Sequence, residues 1–289
     1  LFLLLFLAGS AFSAPVPISS CGSLVSNTDY ELSQDIVNYP NGSCFVSNGQ
    51  ENISFDCQGY SVDGIDTPGW LLGFYVLNSR NVTVRNCIVT DFGVGIQVAS
   101  SANNTLSNIT ANSNLHYGIK IYPTSSNNLL SHLTVSSNPT GIGIYNNFDG
   151  STSSGSNNNV FSDVTATSNS NYGIYSYYST NNSFSNVTAS SNGNDGIKIE
   201  SSPNNTFSGV TANSNQHGFY IRSSSHGTVL SGITTSNNSG DGIDIESSNF
   251  NTLTTVTANG NSVEGVELDS SSSNTLSGIA ASGNSHAGI

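Results

Sequence analysis

Charge is scarce in this 289-residue chain, and positive charge scarcest of all: 8% of residues are charged, with 5 basic against 18 acidic side chains. A formal net charge of −13 argues against an electrostatic grip on nucleic acid or on an anionic membrane. Cations, neutral sugars and basic partners remain compatible with it. The four cysteines, Cys21, Cys44, Cys57 and Cys87, include no Cys-x-x-Cys and no Cys/His ligand spacing, so they do not read as a zinc site. An apolar fraction of 35% is low for a compact globule. The apolar residues nevertheless recur regularly, which excludes disorder and fits an elongated solenoid with a narrow core.

One apolar run opens the chain. Leu1–Ala8 resembles the hydrophobic region of a secretory signal peptide, with Ala11 and Ser13 offering a cleavage site near Ala14, so residues 1–13 are expected to be removed. No charged segment precedes the run and the chain has no methionine, so the natural N-terminus is expected to lie upstream; a shortened membrane anchor is the alternative. Export agrees with cysteines placed early in the chain. Three pairings are possible and the sequence does not choose among them; Cys21–Cys44 and Cys57–Cys87 are expected, stapling an N-terminal cap over residues 14–72. The mature chain is expected to be secreted or held at the cell surface, without membrane insertion. Sequons such as Asn52-Ile53-Ser54 permit glycosylation, though an Asn- and Thr-rich chain generates many by chance.

A glycine followed by an apolar residue recurs from Gly73 to Gly288 at intervals of 22 to 24 residues, broken by one interval of 32 between Gly141 and Gly173. The longer coil is expected to push a loop out around Asp149–Gly155. Residues 73–289 therefore read as coils of about 23 residues, stopping as another coil opens, and the chain is expected to be cut short there. In Gly95–Tyr117, Ile96 and Val98 alternate with Gln97, the period-two pattern of a strand with one buried face. A Ser/Asn turn, Leu106, a corner, Ile109 and Ala111, and a second Asn-rich turn complete the coil. That gives three short strands per coil, in segments whose Ser, Thr and Asn disfavour helix interiors. Stacked coils would lie about 4.8 Å apart and turn equivalent residues into columns. One inward column runs Ile96, Ile119, Ile142, Ile174, Ile197, Phe219, Ile243 and Val266; another holds Leu106, Phe184, Phe207, Leu230, Leu253 and Leu276. Columns of asparagine, Asn104 to Asn274 and Asn114 to Asn284, read as structural, because Asn tolerates left-handed backbone and bonds its neighbour in the next coil. Leu276-x-x-Ile279-x-Ala281-x-x-Asn284 also matches half of a leucine-rich repeat, but the other half would have to supply a helix and is instead a second β-like run. The expected fold is an all-β, right-handed parallel β-helix.

The repeat form NNTLSNITANSN with Gly118-Ile119, and the stretch from Cys21-Gly22 through Asn52-Ile53-Ser54-Phe55-Asp56-Cys57 to Asn81-Val82-Thr83-Val84, resemble the NosD-like group of right-handed β-helix proteins, within the pectate-lyase-like superfamily. The cap and first coils are similar to secreted, often archaeal, members. The resemblance covers residue 21 to the end, is specific for architecture, and implies association with polysaccharides or cell surfaces and, in some members, lyase, hydrolase or epimerase activity. The copper associated with the group is not supported: methionine is absent, and His116, His132, His217, His226 and His286 form no ligand motif. His116 and His286 read as solvated turn residues.

Outward positions carry the informative segregation. The residues one before, two after and four after each glycine hold eight of the twelve tyrosines, every carboxylate beyond Asp163, and Lys120, Lys198 and Arg222. One wall is thus aromatic in its middle and charged toward its C-terminal end. Tyr117, Tyr122, Tyr145, Tyr172, Tyr175, Tyr177 and Tyr220 offer flat faces and phenol groups to sugar rings; the competing reading is that tyrosine merely suits exposed strands. Asp241, Asp244, Glu246, Glu267 and Arg222 are the candidate catalytic residues, with Asp195, Lys198, Glu200, His217, Glu264 and Asp269 around them. Crowded carboxylates raise one another's pKa, leaving one as an acid, or else capture Ca²⁺ at Asp244, Glu246, Glu267 and Asp269. No other cofactor is expected. Arg222 would neutralise a uronate or sit in an ion ladder. Paired Asp with Gly-His-Gly and Arg-x-Lys, or Asp-Pro-His-Asp, signatures of enzymes on this fold, do not occur. The expected role is an exported scaffold contacting glycans along this wall; the alternatives are a carbohydrate-active enzyme and a purely structural surface protein or adhesin.

Overall fold

A computed structural model describes residues 14–66, 68–146 and 155–289. The signal-peptide segment and nearly all of the Asp149–Gly155 loop lie outside these residues. Every regular element described is a strand, and the strands form two parallel sheets of 11 and 13. The first sheet contains the glycine-led strands, among them Tyr117–Tyr122, Thr140–Tyr145, Tyr172–Tyr177, Ile197–Glu200, Phe219–Arg222, Ile243–Glu246 and Val266–Asp269. The second carries the other half of each coil, from Val16–Ile18 to Thr275–Ala280. The cap segment supplies the opening strands of both sheets and two disulfides, Cys21–Cys44 and Cys57–Cys87.

Register joins equivalent residues coil by coil. Ile96, Ile119, Ile142, Ile174 and Ile197 pair in succession, and all are fully buried. In the second sheet the column Leu106, Leu130, Phe161, Phe184, Phe207, Leu230, Leu253 is equally buried, and Leu276 packs on its end. Phe184 is stacked between Phe161 and Phe207, with ring centroids 4.6 and 4.5 Å away. The second and third strand stretches of each coil share one ladder, hinged at a residue with positive φ: Asn86, Asn108, His132, Asp163, Asn186, Gly209, Gly232, Thr255 and Gly278 in turn. One left-handed residue bends the strand without breaking its pairing.

The buried asparagines close the turns. The Asn192 side-chain oxygen accepts from the Asn169 amide N–H and side chain, while the Asn192 Nδ2 donates to the Ala166 carbonyl and to Asn215. The same chain runs from Asn114 to Asn284, so buried backbone groups that no sheet reaches are satisfied by amide side chains. The left-handed residues are their predecessors, such as Asn103, Ser113, Asn181 and Ser191, not the ladder asparagines themselves. A serine ladder, including Ser79, Ser101 and Ser125, does the same work at the turn after the first sheet.

Ser176 breaks the pattern. It is fully buried between Ile144 and Ile199, and its hydroxyl has no partner among the described residues. Removing an unpaired buried hydroxyl while adding a methyl is favourable, so Ser176→Val is expected to raise unfolding stability by about 1 kcal/mol in denaturant titrations; an equal loss would show the site too tight.

Candidate functional site

The wall rises on the outer face of the first sheet. In Tyr117–Tyr122 the side chains of Ile119 and Ile121 are buried, which turns Lys120 and Tyr122 outward, and the same alternation repeats along the sheet. Tyr117, at the strand's start before Gly118, breaks the alternation and joins the wall through its ring contacts with Trp70 and Tyr145. In its aromatic half, Tyr117 meets Tyr145 edge-on at 5.6 Å and Tyr145 meets Tyr175 at 5.3 Å. Tyr172 and Tyr177 flank Tyr175 at 5.1 and 6.0 Å. Gly143 makes this possible: a Cβ there would lie 2.3 Å from the Tyr145 ring and 2.8 Å from that of Tyr117. Tyr117, Tyr122, Tyr145, Tyr175 and Tyr177 line a cavity of about 410 Å³, with Lys120 and Glu200. A second cavity of about 360 Å³ continues past Lys120 and Tyr122 to Trp70 and Tyr75.

Two aromatic members escaped the sequence reading. Trp70, 58% exposed, stacks on His116 at 4.3 Å and faces Tyr117 at 6.3 Å. His116 is therefore part of the aromatic surface rather than a solvated turn residue. Trp70 precedes the first repeat glycine and so has no column; being the sole tryptophan was its only signal.

Tyr220 belongs to the charged half. Its hydroxyl donates to Glu246 at 2.5 Å, its ring lies 5.3 Å from that of His217, and the Arg222 guanidinium sits 5.3 Å above it. Tyr175 likewise donates to Glu200, at 2.8 Å, which also faces Lys198 Nζ at 3.4 Å. Arg222 lies between Glu200 and Glu246, 3.9 and 3.8 Å from them, as an ion ladder requires. Beyond it, His217 Nδ1 bonds Asp195 at 2.8 Å while its Nε2 lies 3.6 Å from Asp241. Asp195 and Asp241 are buried, and Asp241 also accepts the Glu264 backbone N–H.

Two triads bring their ligand atoms within 4.8 Å of one another, His217–Asp241–Asp244 and Asp241–Glu264–Glu267. These groups could hold a divalent cation. Among the described residues Glu246 and Asp269, two of the expected Ca²⁺ ligands, belong to neither triad. Glu246 leans toward Tyr220 and Arg222, and Asp269 accepts from Ser270.

Burial, then the carboxylates of Glu267, Asp241 and Glu246, push Asp244 up to about 7, with His217 opposing. Burial and the neighbouring acids also raise Glu267. For His217, burial opposes the charged ring, but the hydrogen bond and charge of Asp195, with Asp241 and Asp244, outweigh it and raise the imidazole. The signs agree. Folded Asp244 holds a proton that the unfolded chain, near 3.8, releases, so its stabilisation fades as pH climbs from about 4 through about 7. The His217 contribution is complete below 6.5 and fades above it. Stability at pH 8 is therefore expected to fall below that at pH 5, by about 1–2 kcal/mol once partial solvent screening is allowed for. Denaturant titrations at both values should show most of this difference abolished in Asp244→Asn; an unchanged difference would show that the carboxylate is not so placed.

The family model for the right-handed beta helix region matches residues 24–162 and 154–289, and the chain belongs to that family. Among solved structures it is similar to the A-module of the Azotobacter vinelandii mannuronan C-5 epimerase AlgE4, with TM-score 0.63 and 11% identity over 92% of this chain and 84% of that one. It is also similar to the periplasmic alginate epimerase AlgG, with TM-score 0.66 and 14% identity over 92% and 76%. A third similar structure is the catalytic domain of a GH87 alpha-1,3-glucanase in complex with nigerose, with TM-score 0.51 and 15% identity over 94% and 60%. At these identities the likeness establishes the shared fold. No curated protein matches the chain by sequence.

Proposed function

We propose that this protein is an exported β-helix that binds a polysaccharide along the first-sheet wall, with Tyr117, Tyr122, Tyr145, Tyr172, Tyr175 and Tyr177 as the sugar-facing surface. The observation that carries the reading is the cleft in which five of these tyrosines surround about 410 Å³ of space beside polar groups. Rings at those spacings present stacking faces to a pyranose, and phenols and carboxylates supply hydrogen bonds. The fold neighbours, which include two epimerases of uronate polymers and a glucanase, support a carbohydrate partner. The two disulfides support an oxidising compartment, secreted or at the cell surface. The repeat form resembles that of NosD-like β-helix proteins, which supports a surface-associated role. A glycan-array screen tests the binding: retention of at least one polymer class is expected, and none retained, with or without Ca²⁺, would refute it.

A second reading rests on one arrangement. His217, hydrogen-bonded to Asp195 and facing Asp241 at 3.6 Å, stands beside an Asp244 carboxyl raised to about 7, the groups that proton transfer to or from a sugar carbon or glycosidic oxygen requires. In this reading Asp244, Asp241, Glu246, Glu267 and Arg222 act on the glycan that the aromatic half holds. The polymers retained on the array should then yield new reducing ends, unsaturated uronates or inverted C5 centres; an inactive wild type would leave the binding role alone.

A further inference from the structure

Lys120 stands apart from every other strong base in the molecule. Arg80 pairs with Glu51, Arg85 with Asp56, Lys198 with Glu200, and Arg222 with Glu200 and Glu246. Among the described residues Lys120 has no carboxylate partner and its ammonium donates no hydrogen bond. It is instead enclosed by rings: Nζ lies 4.4 Å from the Tyr122 centroid, 4.7 Å from Trp70, 5.1 Å from Tyr117 and 5.8 Å from Tyr145. Cation–π attraction compensates part of the lost hydration, yet the three N–H donors are not satisfied by ring faces. Burial lowers the lysine pKa, the expected consequence of that deficit.

The position of the ammonium matters as much as its isolation. It lines both cavities of the aromatic half, so a chain of sugar rings running through them would pass over it. The nearest acidic side chain in that lining, Glu200, is already engaged by Tyr175, Lys198 and Arg222. Among the described residues the cleft therefore offers one half-buried positive charge, flanked by stacking faces, without its counter-charge.

We propose that Lys120 is an anion-recognition subsite, and that the glycan bound by the wall carries an acidic substituent, a carboxylate or a sulfate ester, on the sugar seated between Tyr122 and Tyr145. This inference rests on the carbohydrate-binding reading and specifies its ligand. The substituent completes the donors of Lys120, and the rings hold the sugar that bears it.

Three probes of one backbone separate the possibilities: a hexuronate oligosaccharide, its carboxyl-reduced neutral form, and the sulfate ester of that neutral form. Calorimetric titration of the wild type should show one or both acidic forms binding at least about tenfold more tightly than the neutral form, a factor within the range of a charge-assisted hydrogen bond. Which form leads identifies carboxylate or sulfate. The preference should weaken as salt rises. Lys120→Met should erase it while keeping neutral binding, and Lys120→Arg should retain it, with circular dichroism confirming the fold of both. Equal affinity for the acidic and neutral forms, or a preference that survives Lys120→Met, overturns the subsite while leaving carbohydrate binding intact. No binding of any form overturns the subsite and its premise together.

Discussion

Replacing Gly196 by Ala is expected to destabilise the protein by about 3 kcal/mol or more, at the upper end of what core overpacking produces. The reason is close approach rather than backbone conformation. A Cβ at Gly196 would lie 2.6 Å from the Ala189 carbonyl oxygen, 2.7 Å from Asn215 Nδ2 and 2.9 Å from the Gly218 carbonyl oxygen. Two of the three are backbone atoms, and the third belongs to the buried asparagine ladder, so relief in one coil disturbs the next. Gly209 supplies the contrast. Its φ is +62°, no atom lies closer than 3.8 Å to its would-be Cβ, and the residue at the same hinge one coil earlier is Asn186. Gly209→Asn is therefore expected to be tolerated within about 0.5 kcal/mol, since Asn accepts the left-handed region. Denaturant titrations of the two variants decide the matter; a Gly196→Ala protein as stable as wild type would contradict the packing of glycine under each rung.

The triple replacement of Tyr122, Tyr145 and Tyr177 by Ala is expected to weaken binding of a retained glycan by about two orders of magnitude or more. Each ring contributes about 1 kcal/mol as a stacking partner, and three together correspond to about 3 kcal/mol, or over a hundredfold in Kd. The side chains face outward from strands whose cores are Ile119, Ile121, Ile142, Ile144 and Ile174, so the fold should survive their loss. Titration calorimetry beside thermal melts separates the two effects. Unchanged affinity in a folded triple variant would mean that the tyrosines are only a stable outer face for exposed strands.

The fold was legible because stacking converts a period of about 23 residues into columns. The repeat alone sets Ile96 to Val266 side by side, and the coils do bury them in register. The long coil displaced Phe161, and Leu130 stands one residue later in its own regular coil than Leu106 does; the register restores both to their column. The role of glycine was not legible. Its columns mark sites where carbonyl oxygens of the next rung approach, and sequence alone cannot separate this from a need for positive φ. Asparagine was read correctly as structural, yet the left-handed residues are the ones before it, because a buried amide and a strained backbone are separate tasks in each turn.

The wall was legible in outline and less so in grouping. Outward alternation predicted which tyrosines and carboxylates two and four places after each glycine share a face, but neither the column before the glycine, which has inward parity, nor which way each side chain leans. Tyr220 leans to Glu246 and leaves the aromatic group, and Glu246 turns to Tyr220 and Arg222, away from Asp244 and Glu267. Trp70 and His116 meet only because the segment before the first repeat folds back over the wall, a contact between residues 46 positions apart that no local pattern carries.

Hydroxyl-radical footprinting with and without a retained oligosaccharide tests the central claim most directly, since it reads tyrosine accessibility residue by residue. Protection of Tyr122, Tyr145, Tyr175 and Tyr177, together with Trp70, and none at Tyr39 and Tyr60 in the N-terminal cap segment, is the result this account predicts. Protection confined to the second sheet or the cap, with those wall residues reacting as in the free protein, would contradict it.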